Sequence, residues 1–175
     1  TQKETPMSKE SELFKLIDSR NYTQAFQILN AYSHESSFNV NTVDDKGFSF
    51  LYSAIIQSNG KAPGYYSFIE ALLANPQFNL VNTPYAPNKR TPFAAAVFGD
   101  CPELVKVFLK YRQQRQIEVI YSEGNLLFQK QTKAVNDMAQ DLEEDPEDEL
   151  TIELLAKQKE ILAILRDLTI RHAVS

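Results

Sequence analysis

Lys89-Arg90-Thr91-Pro92-Phe93-Ala94-Ala95-Ala96 and, a short turn later, Glu103-Leu104-Val105-Lys106-Val107-Phe108-Leu109 set the pattern for the whole chain. Thr91 is placed to cap a helix, because its hydroxyl can accept a free backbone N–H of the first turn. Pro92 suits the first helical position, where its missing N–H is harmless. The apolar positions then continue through Phe98, and Gly99 to Pro102 turn the chain. Leu104, Val105, Phe108 and Leu109 recur at helical spacing in the second run. The spacing predicts two short helices folded back on each other, with small side chains at Ala94, Ala95 and Ala96 allowing another helix to come close.

Outward from this hairpin the same pattern returns. Val81-Asn82-Thr83 just before it repeats Val40-Asn41-Thr42 at a displacement of 41. Ser49-Phe50-Leu51 to Ala54 matches Thr91-Pro92-Phe93 to Ala96 at 42, and Ile69 to Leu73 matches Val105 to Leu109 at 36. The drop from 42 to 36 predicts about six extra residues in the loop around Gly60 to Gly64, where a longer loop costs little closure entropy. A weaker hairpin precedes both units, with Leu13, Leu16 and Ile17 on one helix and Ala25, Phe26, Ile28 and Leu29 on the next, the latter with Thr23 as its expected cap.

Together these residues resemble the ankyrin repeat, whose unit has a turn, a Thr-Pro-Leu-His-x-Ala opening of its inner helix, a Val/Leu-rich outer helix and a loop ending in Val-Asn. The likeness covers residues 12–111. Phe50 stands where proline is usual, Tyr52 and Ala94 where histidine is usual, and Lys89 where glycine is usual, so the second turn is expected to be wider or differently wound. The resemblance implies an all-α fold, a short ankyrin-like stack of helical hairpins, that binds a partner protein through its turn tips and the exposed side of its inner helices. Carried over position by position, that face comprises Lys46 and Phe48 at one tip, Asn88 and Arg90 at the next, Tyr52, Ile56 and Phe98 on the inner helices, and Tyr85 between the tips. The alternatives are core packing for Phe48, Ile56 and Phe98, and plain solvated surface for Lys46, Asn88 and Arg90.

Residues 1–11 read as a polar tail and 112–175 as a helical extension. Helical character is expected over 112–119, 126–142 and 146–172. Ile152, Leu155, Ile161/Leu162, Leu165 and Leu168 form a stripe on the last of these helices. That stripe is expected to cover the end of the stack, with a coiled-coil or dimer seam as the alternative. The acidic run over 141–149 is read as a helix start, with Asp145 as cap, Pro146 first in the helix, and carboxylates complementing the helix dipole.

Bulk properties narrow the function. A length of 175 residues and 43% hydrophobic content suit one folded domain. A net charge of -5 gives no field for nucleic acid or an anionic membrane, so neither is an expected partner. No apolar run reaches the roughly 20 residues that span a bilayer. A single cysteine, Cys101, suits a reducing compartment, and the expected location is cytoplasmic. The chain starts at Thr1, so a fragment or a processed product stays open. The two histidines, His34 and His172, lack neighbours at metal-ligand spacing, and no phosphate-binding glycine loop is present. No metal, cofactor or catalytic residue is therefore expected. The expected function is non-catalytic protein binding. Its alternative is a regulatory or scaffold domain of a larger protein, an enzyme or a host-directed effector among them.

Overall fold

The computed structural model describes residues 7–57, 60–86, 89–99, 101–118 and 126–174, the last stretch with side chains from 129 to 167. About two thirds of the chain, 64%, is helix, and no strand occurs among the described residues. The order is α1 (Lys9–Asp18), α2 (Tyr22–Tyr32), α3 (Phe50–Gln57), α4 (Tyr65–Ala74), α5 (Pro92–Phe98), α6 (Pro102–Lys110), α7 (Arg112–Arg115), α8 (Leu126–Glu144) and α9 (Glu149–Val174).

Local chemistry sets where these helices start. Ser49 Oγ accepts from the Tyr52 N–H at 3.1 Å, and Thr91 Oγ1 accepts from the Ala94 N–H at 3.2 Å, so the two units open α3 and α5 with the same cap. Pro92 and Pro102 both sit in the first turn of their helices. The cap of α2 is Asn21, whose Oδ1 accepts from the Gln24 N–H at 3.3 Å; Thr23 lies inside the helix instead, because the amide two residues earlier already holds the free donor. Gly64 opens α4 at φ +78, and a Cβ there would stand 2.9 Å from the Thr23 backbone nitrogen, so both conformation and contact require glycine. The longer loop is where the changed displacement put it, over 58–64, against 99–101 in the next hairpin.

The helices form two layers. In one, α1 packs on α3 and α3 on α5; in the other, α2 packs on α4 and α4 on α6, while α1–α2, α3–α4 and α5–α6 pair as hairpins. Aromatic rings fill the space between. Phe50 is fully buried with its ring centre 4.3 Å from that of Phe14 and 6.2 Å from that of Phe38. Tyr22 meets Tyr65 edge-on at 5.0 Å and donates to the Ala54 carbonyl at 3.4 Å, tying α2 to both α3 and α4. Burial pushes the Tyr22 phenol up to about 12 and raises Tyr65 further. Each fully buried large side chain contributes about 1.5–3 kcal/mol relative to exposure.

A second linkage runs along the loops. Asn41 donates to the Gln77 carbonyl and accepts from the Asn79 N–H, both at 2.8 Å. Asn82 does the same one unit later, to the Gln116 carbonyl and from the Glu118 N–H, both at 2.9 Å. Each asparagine thus replaces two missing backbone partners in the following loop. The repeat therefore extends past Tyr111: Ile117 is buried where Phe38 and Phe78 are buried in the earlier loops. Helix over 112–119 was the expectation, but α7 stops at Arg115, since Gln116 takes a left-handed conformation and Ile117 and Glu118 are drawn out to meet Asn82.

Beyond it, α8 and α9 pair with each other; α8 also touches α5, and α9 lies on α6. Ile161 and Leu165 belong to the same core as the stack. The start of α9 differs from expectation. Asp148 is the cap, accepting from the Thr151 N–H at 3.2 Å and the Thr151 hydroxyl at 2.6 Å, and Asp145 and Pro146 lie in the turn before it. The Thr151 hydroxyl holds the Asp148 carboxyl below the usual carboxylate range. Ile152, expected on the packed stripe, is 47% exposed because the packed face of α9 runs through Thr151, Leu155, Gln158, Leu162 and Leu165, whereas Ile152 shares the outer face with Ala156, Lys159 and Ala163; the Leu168 side chain is outside the described residues.

Candidate functional site

The turn tips that lead into α3 and α5 sit side by side through their aromatic residues. In the first, Val43 and Ser49 form an antiparallel bridge, and Asp44 Oδ1 accepts from the Lys46 and Phe48 N–H groups at 2.9 Å each. Gly47 sits in the left-handed region at φ +83. In the second, the bridge joins Tyr85 and Arg90, and Lys89 takes the glycine's place at φ +52. Of the two expected departures, a wider turn or a differently wound one, this second turn is the differently wound one, its bridge closing one residue sooner. Ala86, at the position of Asp44, has no side chain to hold a longer loop open.

The tips are joined by three rings. Tyr52 and Tyr85 stack at 4.2 Å with 21° between planes, and Phe48 meets them edge-on at 4.9 and 5.7 Å. Tyr52 and Tyr85 are only 8% and 6% exposed, and burial raises the Tyr85 phenol. Both were expected to offer their rings to a partner; the structure spends those rings on each other, because adjacent tips need an apolar filling where their polar loops meet. Phe48 is half-buried behind them, Lys46 is exposed at the first tip, and Asn88 lies outside the described residues.

Beside this cluster runs a groove of about 450 Å³ along the free side of α3 and α5. Tyr52, Ile56, Arg90 and Phe98 all line it, so four of the eight expected residues converge there. Ile56 is the most open of the four, 49% exposed. The Arg90 guanidinium lies over the Phe98 ring, 4.6 Å from its centre, which holds the cation in one plane. Ala95 leaves room in the floor.

Sequence reasoning missed Arg20, which lines the same groove from the α1–α2 link. Its N–H donates to the Ile17 carbonyl at 3.0 Å and the next N–H to the Leu16 carbonyl at 2.8 Å, closing α1 with Arg20 left-handed at φ +60. Glycine is the usual occupant of such a position. The signal available was this: a residue two short of the next helix start, in the link of a unit whose neighbours carry the groove.

Other reactive groups are placed differently. Cys101 is buried with its Sγ 3.0 Å from the Tyr66 hydroxyl, between α4 and α6, and burial together with that contact raises the Tyr66 phenol. His34 is exposed in the turn after α2, and the His172 side chain is outside the described residues. Among the described residues no three His, Cys, Asp or Glu side chains gather as metal ligands, and no helix is long and apolar enough to cross a membrane. No family model, curated protein or solved structure matches the chain.

Proposed function

We propose that this chain is a non-catalytic protein-binding module, an ankyrin-like stack that holds a segment of a partner protein in the groove along α3 and α5. The observation that carries this reading is the convergence of Ile56, Arg90 and Phe98, drawn from two successive units, on one open groove. Several features support ankyrin-like stacking: inner and outer layers, paired caps at Ser49 and Thr91, left-handed tip positions at Gly47 and Lys89, and the clamps of Asn41 and Asn82. The buried, tyrosine-bound thiol of Cys101 favours a structural place for that residue over a nucleophilic one.

The test is capture of partner proteins from lysate by wild type, by Ile56→Glu and Phe98→Ala in the groove, and by Lys130→Glu on α8, with circular dichroism to establish that each folds. Proteins retained by wild type and Lys130→Glu but lost from both groove variants are the expected result. Retention by Ile56→Glu equal to wild type removes the groove from consideration. A second reading, self-association through α9, is favoured by Leu150 and Ile152, exposed together near its start at 66% and 47%. Sedimentation of Leu150→Glu against wild type separates it from the first.

A further inference from the structure

We propose that the occupant of the groove is an acidic segment of the partner protein, whose carboxylates pair with Arg20 and Arg90 while a neighbouring apolar side chain rests on Ile56 and Phe98. This rests on the groove reading above and adds the chemistry of what fills it.

Charge carries the inference. The chain as a whole is at -5, yet two of the described residues lining this groove are arginines and none of those described is an aspartate or glutamate. Among the described residues no ion pair or side-chain hydrogen bond engages either guanidinium. Some cations elsewhere on the surface are paired, Lys106 with Glu160 at 2.8 Å and Lys110 with Glu70 at 2.7 Å. The last turns of α3 and α5 reach the same groove, and their free carbonyls place about half a negative charge at each end at most. Two guanidiniums with full charge and five donors each exceed that.

One of the two cations is also held in place. Arg90 is fixed against Phe98, so its planar fork loses less freedom when it meets a carboxylate. Arg20 occupies a left-handed position that a glycine would take at lower cost, so the side chain is kept there against local backbone preference. The mixed lining, with Ile56, Ala95 and Phe98 beside the charges, suits a carboxylate next to an apolar group better than a uniform polyanion. A sugar-phosphate backbone running out of the groove would meet a chain of net charge -5. The acidic turn between α8 and α9 of a second copy offers similar side chains, but it is flanked by two helices about 10 Å across each, too broad for a cavity of about 450 Å³.

The experiment is selection from a random-peptide display library on immobilised protein, in parallel for wild type, Arg20→Gln/Arg90→Gln and Ile56→Glu, followed by anisotropy titration of the winning peptides made synthetically. Wild type is expected to enrich peptides with Asp or Glu beside an apolar residue, and Glu→Gln in such a peptide, or the double arginine change, should weaken binding at least about tenfold. Added salt should weaken it too. Arg20→Gly gives a separate readout, because an Arg20 with no part in binding predicts a higher melting temperature with affinity unchanged, whereas the proposal requires a higher melting temperature with affinity lost. Neutral peptides selected by wild type and lost with Ile56→Glu overturn the acidic occupant and leave the groove reading standing. Peptides indifferent to Ile56→Glu, or none at all, overturn both. Tighter binding of a labelled single-stranded oligonucleotide through the same arginines overturns the partner class, and self-association abolished by Arg90→Gln reassigns the occupant to a second copy.

Discussion

The stack of α1 to α6 and the hairpin of α8 and α9 solve the same problem by different means. Helices of the stack have 7 to 11 residues, and each buries its apolar side on the next unit. The hairpin's helices have 19 and 26 residues, about 28 and 39 Å long, and so overrun the stack. Among its described buried residues, only Ile161 and Leu165 join the main core; Val135, Leu155 and Leu162 form a small core of their own with Met138 and Leu142 beside it. The stack is full of aromatic rings, whereas residues 126–174 contain no tyrosine. The hairpin instead buries two glutamines, Gln131 and Gln158, whose side-chain carbonyl oxygens lack partners among the described residues. A unit with neighbours on both sides can rely on shared burial, while this hairpin supplies a small core of its own and buries polar groups within it.

The largest expected difference between the regions is in the core. Phe50→Ala should cost about 3–5 kcal/mol in chemical denaturation, since Phe14 and Phe38 cannot close over the hole, whereas Val135→Ala in the hairpin should cost about 1.5 kcal/mol. Hydrogen exchange in α8 and α9 then sharpens the comparison. Faster exchange there in Phe50→Ala makes the two regions one cooperative unit; unchanged exchange separates them.

Alkaline pH should act on the stack first. The folded state raises the Tyr22 phenol to about 12 by burial and raises Tyr65 as well, so the neutral form is favoured on folding. That contribution is complete below the ordinary tyrosine value of about 10 and is lost as pH rises toward 12. Helix loss and tyrosinate absorbance should therefore rise together across this window, and Tyr22→Phe should move the helix loss upward. Because all eight tyrosines absorb, the test is the difference between wild type and Tyr22→Phe/Tyr65→Phe: tyrosinate from these two formed at the ordinary value with the helices intact contradicts their packed arrangement.

Next come the asparagine clamps. Asn41→Ala and Asn82→Ala each remove one donor and one acceptor that span two units, and each should cost about 1–2 kcal/mol. Asn82→Ala should also loosen the segment leading to α8, seen as faster exchange at Glu118. The hairpin should respond in the opposite direction to loss of its polar pair: Gln131→Leu with Gln158→Leu should raise stability by up to about 1 kcal/mol, because two orphaned oxygens disappear together. A loss of stability instead would mean that the pair is satisfied in solution.

Much of this organisation was legible before any coordinates. The displacement of Val-Asn-Thr by 41 and the Thr91-Pro92 start located the units, since helix caps and loop residues are dictated locally. The caps of α2 and α9 were misplaced because Asn21 and Asp148 compete with equally good candidates a few residues away, and only the path of the chain decides between them. The clamps could have been read as a repeat of Phe-Asn with a Val-Asn two or three positions later, at 38–41 and 78–82, but their partners lie 34 to 38 residues ahead, beyond any local pattern. Within the groove, Ile56, Arg90 and Phe98 followed from the repeat. The stacking of Tyr52 on Tyr85 did not follow from the repeat, because side-by-side tips pair rings that sequence holds 33 positions apart, at 4.2 Å. Arg20 escaped notice because its unit is the most degenerate.

The smallest effect tests the equivalence of the two tips. Gly47 and Lys89 occupy the same left-handed position 42 residues apart, at φ +83 and +52. An L side chain there crowds its own backbone, at about 1–2 kcal/mol, while glycine gives back about 0.5–1 kcal/mol through its freer unfolded chain. Lys89→Gly should therefore raise stability by about 0.5–1 kcal/mol, and Gly47→Lys should lower it by a similar amount. Both substitutions lie at exposed tips where no Cβ contact intervenes at Gly47, so the change reports backbone conformation alone. A destabilising Lys89→Gly would mean that the lysine side chain contributes a contact that outweighs its backbone cost, and the two tips would then be alike in shape but held by different forces.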